Sequence, residues 1–140
     1  MRRRRSPRQA MPAEGSRRQL LVGTSLYAAA ALADMALTLS GMKGDLSLEG
    51  NPVMRSVMAR LGAPWGLVLE KAAVGCAFAL LALFLEPEIK RNAGWIWKVP
   101  STPWARAWLR RGDRSWIAYV PLYGAAAFQL LAALSWVALR

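Results

Sequence analysis

Three long apolar stretches, residues 20–42, 63–85 and 116–139, constrain this chain more than any other feature of its sequence. A helix rises about 1.5 Å per residue, so each stretch is long enough to cross a hydrocarbon core of about 30 Å. The chain is 55% hydrophobic and its mean hydropathy is +0.21, which is too apolar for an ordinary soluble domain. We therefore predict an all-α fold, an integral membrane bundle of three transmembrane helices.

The sequence before and between the first two spans predicts a tail and a surface helix. Residues 1–19 contain seven Arg together with Pro, Ser and Gly, and predict a disordered tail in front of one membrane domain over 20–140. Pro52 is suited to the first position of a helix, and Val53-Met54 and Val57-Met58 follow at amphipathic spacing. We expect a short amphipathic helix on the surface there.

The 86–115 segment predicts an interfacial loop. It opens with Glu86-Pro87-Glu88, which we expect to end the second span, and it mixes seven Lys or Arg with four Trp. Aromatic and basic residues side by side favour a segment lying on anionic lipid headgroups, so the bilayer is an expected partner. The residues predicted at the membrane interface are Trp65, Trp95, Trp97, Trp104, Trp108, Trp116 and Tyr119.

The distribution of basic residues predicts the orientation. The tail and the 86–115 loop each carry seven, whereas 43–62 carries three, so the N-terminus is expected in the cytoplasm and the C-terminus outside a bacterial inner membrane. The net charge of +11 would indicate nucleic-acid binding in a soluble chain, but blocks of charge between apolar runs favour a membrane protein without a nucleic-acid partner. Ala31-Leu32-Ala33 also has the form of a signal-peptidase site, although the apolar run continues to Met42 and favours a retained span.

Residue usage argues against common active-site chemistry. The chain has no His, which removes the commonest general base and zinc ligand, and Cys76 is its one cysteine. It has no Gly-x-Ser-x-Gly elbow and no metal-ligand motif. We expect no enzyme activity, no metal and no cofactor, and we expect Cys76 to be a small buried packing residue.

Three ionisable residues lie inside the predicted spans: Asp34, Glu70 and Lys71. An ionised side chain at mid-bilayer costs on the order of 3 kcal/mol, so each needs a partner. Asp34 and Lys71 both lie about 12 Å below the outer surface, which predicts an ion pair between the first two spans. Thr38, one turn beyond Asp34, is placed to donate to that carboxylate. Adjacent residues point about 100° apart, so Glu70 is expected to face another element or a partner protein.

The loop sequence Glu49-Gly-Asn51-Pro52 has two interpretations. Asn51 before Pro52 is suited to cap the surface helix. Glu49 is instead suited to complete an acidic cluster with Asp34 and Glu70 around a hard cation, because such ions prefer carboxylate and amide oxygens.

These residues resemble a known pattern. Asp34-Met-Ala-Leu-Thr38, Glu49-Gly-Asn51-Pro52 and Lys71 are similar to the hallmark Asp-x-x-x-Thr, Glu-x-Asn-Pro and intramembrane Lys of an uncharacterised family of small bacterial and archaeal membrane proteins. The likeness covers residues 20–85. It implies a short helical membrane protein with a functional unit at these five polar residues and no assigned activity.

Two functions fit the sequence best. The first is an accessory or scaffold subunit that docks in the bilayer through the buried polar set, with a membrane-protein partner or a second copy of itself. The second is a proton- or cation-handling protein that uses Asp34, Glu70 and Lys71, for which three spans per chain require oligomerisation.

Overall fold

A computed structural model describes residues 14–91 and 115–138 of the chain, and in these two ranges every regular element is helical. The first half contains α1 (Glu14–Met42), a 3-10 turn (Leu46–Leu48), α2 (Pro52–Leu61) and α3 (Ala63–Lys90). The second contains a 3-10 segment (Ser115–Tyr119) that leads directly into α4 (Val120–Ala138). Within these ranges, three segments are long and apolar enough to cross a membrane, in the three places where the sequence predicts spans.

The helix ends differ from the predicted ones. The first helix begins at Glu14 rather than at residue 20, so the last part of the predicted tail is helical. Glu86-Pro87-Glu88 does not end α3, which continues to Lys90. Burial of Glu86 and Ile89 against other helices holds this last turn in place although Pro87 lacks a backbone donor. Residues 1–13, 92–114 and 139–140, which include most of the predicted tail and of the interfacial loop, lie outside the described residues.

Packing between α1 and α4 forms the most extensive helix contact of the bundle. A buried apolar cluster of Tyr27, Ala31, Leu122 and Ala126 lies at the middle of this contact. The third helix packs more loosely: 11% of the residues in its most apolar stretch are buried, compared with 28% in α1 and 33% in Ser115–Ala138. Much of the α3 surface is therefore open to whatever surrounds the protein.

The short helix predicted after Pro52 is present as α2, and it packs on the start of α3. Met58 is 1% exposed and joins a cluster with Met42 and Leu67. The contact is close because Gly66 has no side chain: a Cβ there would lie 2.9 Å from Met58 Cγ and 3.2 Å from Met58 Cα. The loop between α1 and α3 is thereby fixed against the bundle.

Gly66→Ala is expected to lower the free energy of unfolding by about 1–3 kcal/mol, because the added methyl group meets Met58 backbone atoms that cannot move aside. Gly124→Ala is the matched control, since a Cβ at Gly124 meets nothing within 4 Å. That substitution should raise the free energy of unfolding by about 0.5–1 kcal/mol through helix propensity. Both are measured by thermal unfolding in detergent, and equal effects of the two variants would contradict a tight α2–α3 contact.

Candidate polar site

Lys71 joins all three long helices through its ammonium group. Its Nζ lies 2.7 Å from Asp34 Oδ2 in α1, 2.9 Å from Glu70 Oε2 in α3 and 2.8 Å from Gln129 Oε1 in α4. An ammonium group has three N–H donors, so these acceptors use all of them. Tyr27 adds a further link, since its hydroxyl donates to the Lys71 backbone carbonyl at 2.9 Å.

This arrangement contains the predicted pair, adds a bond at Glu70 and departs from prediction at Thr38. Asp34 and Lys71 form the ion pair that their equal depths predict. Glu70 bonds to Lys71, whose four-carbon chain reaches back along the helix, and the sequence does not predict this bond. Thr38 is buried, at 4% exposed, but among the described residues its hydroxyl has no hydrogen-bond partner, so the predicted bond to Asp34 is absent.

The loop motif closes one side of the site. Asn51 caps α2, its Oδ1 accepting from the backbone N–H of Val53 at 3.0 Å and of Met54 at 3.4 Å, and Pro52 takes the first helical position. The Glu49 carboxylate accepts from the Asn51 N–H at 2.8 Å, and Arg55 Nε donates to the Glu49 carbonyl oxygen at 3.1 Å. Asn51 therefore serves as the cap of α2. The Glu49 carboxylate accepts one backbone hydrogen bond and can still accept others.

Asp45, in the same loop, belongs to a separate turn. Its carboxylate accepts from the Ser47 N–H at 2.9 Å and caps the 3-10 turn. Hydrogen bonding from the Ser47 side chain and backbone lowers the pKa of Asp45. Asp45 does not line the site.

A cavity of about 240 Å³ lies between the Lys71 network and the loop. Its polar lining is Asp34, Thr38, Glu49, Asn51, Glu70 and Lys71. Its apolar walls include Leu67 from α3 and Trp136 from α4. The structure therefore brings the six polar residues of the predicted ion-pair site and loop motif to one cavity. Pro52, the remaining residue of the loop motif, does not line it. Gly50 and Asn51 are exposed and line it as well, so it can be reached from outside the protein.

Comparison with known proteins gives a family but no activity. Residues 25–102 match the domain of unknown function DUF5658. The chain belongs to the DUF5658 family. No curated protein and no solved structure matches it.

The DUF5658 match contains the two predicted motifs and Lys71, but it ends before α4 begins. Gln129 and Trp136, which complete the network and the cavity, therefore come from outside the matched range. Sequence reasoning did not assign a role to Gln129. The sequence does indicate that Gln129 needs a partner, because its amide is an isolated polar group in an apolar span.

This DUF5658 chain has a second polar cluster that sequence reasoning missed. Glu86 is 5% exposed and accepts hydrogen bonds from Ser16, Lys90 and Tyr119, the last at 2.6 Å. Lys90 also donates to Ser16 Oγ at 3.0 Å. The cluster joins the start of α1, the end of α3 and the segment before α4, at the end of the bundle opposite the cavity.

The residues predicted at the membrane interface have different environments. Trp65 and Trp116 are 69% and 44% exposed, so neither is buried in the bundle. Tyr119 is instead 1% exposed, and its hydroxyl is bonded to Glu86 rather than facing an interface. Cys76, expected to be buried, is exposed because α3 packs loosely. The remaining predicted interface residues, Trp95, Trp97, Trp104 and Trp108, lie outside the described residues.

Proposed function

We propose that this protein is a non-enzymatic accessory subunit of a bacterial inner membrane, with three crossings, a cytoplasmic N-terminus and an outside C-terminus. Seven basic residues in the tail and seven in 86–115, against three in 43–62, support this orientation. The Lys71 ammonium has all three donors engaged, which supports a structural task for it rather than one as a nucleophile or base.

The observation that carries the docking role is an apolar groove of about 430 Å³ between α1 and α3. Small residues form much of its surface: Ala28 from α1, and Ala72, Gly75, Cys76 and Ala79 from α3. Ala72 and Cys76 are four residues apart and both exposed. Small residues at this spacing allow the backbones of membrane helices to approach closely, so the groove suits a transmembrane helix.

The shape of the groove favours a different protein over a second copy. A two-fold dimer brings the same patch of each subunit together, so the patch must be complementary to itself. Two concave grooves do not fill one another. The occupant we propose is therefore a transmembrane helix of another membrane protein, docked through small apolar residues rather than through the Lys71 ammonium, whose three donors are bonded within the chain.

Cys76→Leu is expected to reduce the amount of copurified partner at least about fivefold, because a bulky side chain then fills the groove. The measurement is quantitative mass spectrometry after purification of the tagged protein in a gentle detergent at native expression level. Ala77→Leu is the matched control, since Ala77 is exposed on the same helix but does not line the groove. It should leave the partner unchanged.

A second measurement uses Cys76 itself. As the one thiol of the chain, it can carry a photoactivatable crosslinker at the groove. The crosslinked product should contain the same protein that copurifies in stoichiometric amount. A chain that elutes alone or only with copies of itself would contradict the accessory role.

The cavity beside Lys71 favours a second candidate function, cation handling by Asp34, Glu70 and Lys71. Carboxylates from α1, α3 and the loop line this cavity, and it is open to the outside. Ion- or pH-dependent flux into liposomes that contain the purified protein would support this candidate, and the absence of flux would leave the accessory role alone.

A further inference from the structure

The cavity beside Lys71 contains a buried polar group that no described residue satisfies. Thr38 lines the cavity and is 4% exposed, yet among the described residues no group accepts from or donates to its hydroxyl. Thr24, in the same helix, shows the usual alternative, since its hydroxyl donates to the Leu20 carbonyl oxygen at 2.8 Å. Buried polar groups nearly always have a partner, so the Thr38 hydroxyl indicates a bound molecule.

The groups left for such a molecule are mainly hydrogen-bond acceptors. Lys71 has no donor to spare, because Asp34, Glu70 and Gln129 take all three. The Asp34, Glu49 and Glu70 carboxylates retain acceptor capacity towards the cavity. A ligand that donates several hydrogen bonds therefore fits this cavity, and one that only accepts does not.

The charge of the lining favours a cation. Three carboxylates line the cavity against the Lys71 ammonium, and the Arg55 guanidinium lies next to it, bonded to the Glu49 carbonyl oxygen. Even with Arg55 included, the cluster has one net negative charge. A ligand with a single positive charge neutralises it.

Size and lining distinguish an organic cation from a metal ion. In residues 14–91 and 115–138, no group of three acidic, His or Cys side chains lies close enough to hold a metal ion. The volume of about 240 Å³ is large enough for several water molecules, which is more than a bare ion fills. Leu48, Met54, Leu67 and Trp136 provide apolar contact for carbon atoms.

We propose that the cavity is a binding site for a primary ammonium group on a short alkyl chain. Its three N–H donors are bonded to Thr38 Oγ1 and to carboxylate oxygens of Asp34 and Glu70, and its carbons contact the apolar wall. Two sources have this chemistry, a small free amine and the ethanolamine headgroup of a phospholipid. Neither the docking in the α1–α3 groove nor any flux is required for binding here.

The test has one arm for each source and uses the purified full-length chain. In the first arm, the melting temperature in an amine-free maltoside detergent is measured with ethylammonium chloride and with tetramethylammonium chloride at equal ionic strength. In the second, native mass spectrometry compares phosphatidylethanolamine with phosphatidylcholine of the same acyl chains. We expect a preference of at least about tenfold for the primary ammonium compound in one arm or both, since the quaternary group has no N–H to donate.

The responding arm identifies the source, and three variants test the site. Thr38→Val should weaken binding about tenfold while leaving the melting temperature of the unliganded protein unchanged or higher, because the hydroxyl has no partner to lose in residues 14–91 and 115–138. Thr38→Ser should bind like the natural protein, as should Thr24→Val, whose hydroxyl bonds its own helix. The absence of a primary-ammonium preference in both arms, or equal affinity of Thr38→Val and the natural protein, would overturn the proposal.

Discussion

Lys71→Met is expected to lower the free energy of unfolding in detergent by about 3–5 kcal/mol, because it leaves buried carboxylates without their cation. The substitution keeps most of the side-chain volume and removes the charge that Asp34 and Glu70 share. The side chains of Lys71 and Asp34 are 13% and 6% exposed, so water replaces little of the lost interaction. Titration of the folded protein with sodium dodecyl sulfate, followed by Trp fluorescence, measures the difference.

Lys90→Met is the matched control in the same helix. Lys90 also pairs with a buried carboxylate, but its side chain is 39% exposed, and Glu86 keeps the donors of Ser16 and Tyr119 without it. Its loss should cost less than about 1 kcal/mol. If Lys71→Met were no more destabilising than Lys90→Met, the Lys71 network would make no net contribution to stability.

Asp34→Asn removes the carboxylate partner instead of the ammonium, and it should lower the free energy of unfolding less than Lys71→Met does. Lys71 keeps Glu70 and Gln129 as partners when the Asp34 charge is removed, so no buried ammonium is left unpaired. The charge swap Asp34→Lys with Lys71→Asp should be more stable than Asp34→Lys alone, because it retains one cation paired with a carboxylate between α1 and α3. From the sequence alone, Asp34→Asn is expected to destabilise the protein by leaving Lys71 buried and unpaired, because only the Asp34–Lys71 pair is visible there.

The depth of a residue along a spanning helix can be predicted from sequence, whereas the neighbouring helix that its side chain faces cannot. Counting residues from the span ends is enough to pair Asp34 with Lys71, because both helices rise by the same amount per residue. Gln129 could not be joined to them in this way, since its bond depends on which face of α4 packs against α1 and α3. The Glu70–Lys71 bond is not predicted either, because the Cβ directions of adjacent residues differ by about 100° while a lysine chain is long enough to bend back along its helix.

Local composition predicts where each helix lies, but long-range contacts decide where it begins and ends. Apolar composition locates the three spans correctly, because it depends only on local residues. The first helix extends back to Glu14 because Ser16 finds its partner Glu86 seventy residues later, a contact that no local pattern shows. Tyr119 was expected at an interface because aromatic residues gather there, whereas the fold gives its hydroxyl a buried carboxylate.

Glu86→Leu is expected to lower the free energy of unfolding by about 2–4 kcal/mol, because it leaves buried donors without an acceptor. The Tyr119 hydroxyl, on a residue 1% exposed, loses the carboxylate to which it donates at 2.6 Å, and Ser16, 7% exposed, loses the same acceptor. The same detergent titration measures the change. Hydrogen exchange should show faster opening at the start of α1 and the end of α3, the two helix ends that the carboxylate joins.

Two further variants separate the lost hydrogen bonds from a general effect of removing a charge. Glu14→Leu deletes a carboxylate that is exposed at the start of α1, so its cost should stay within about 1 kcal/mol. Glu86→Leu combined with Tyr119→Phe should recover part of the lost stability, because replacing both partners with apolar groups removes the unsatisfied hydroxyl. If the double variant were as unstable as the sum of its parts, the Tyr119–Glu86 bond would not be the cause, and the end of the bundle would be held by apolar packing of Ala82, Ile89 and Ala118 alone.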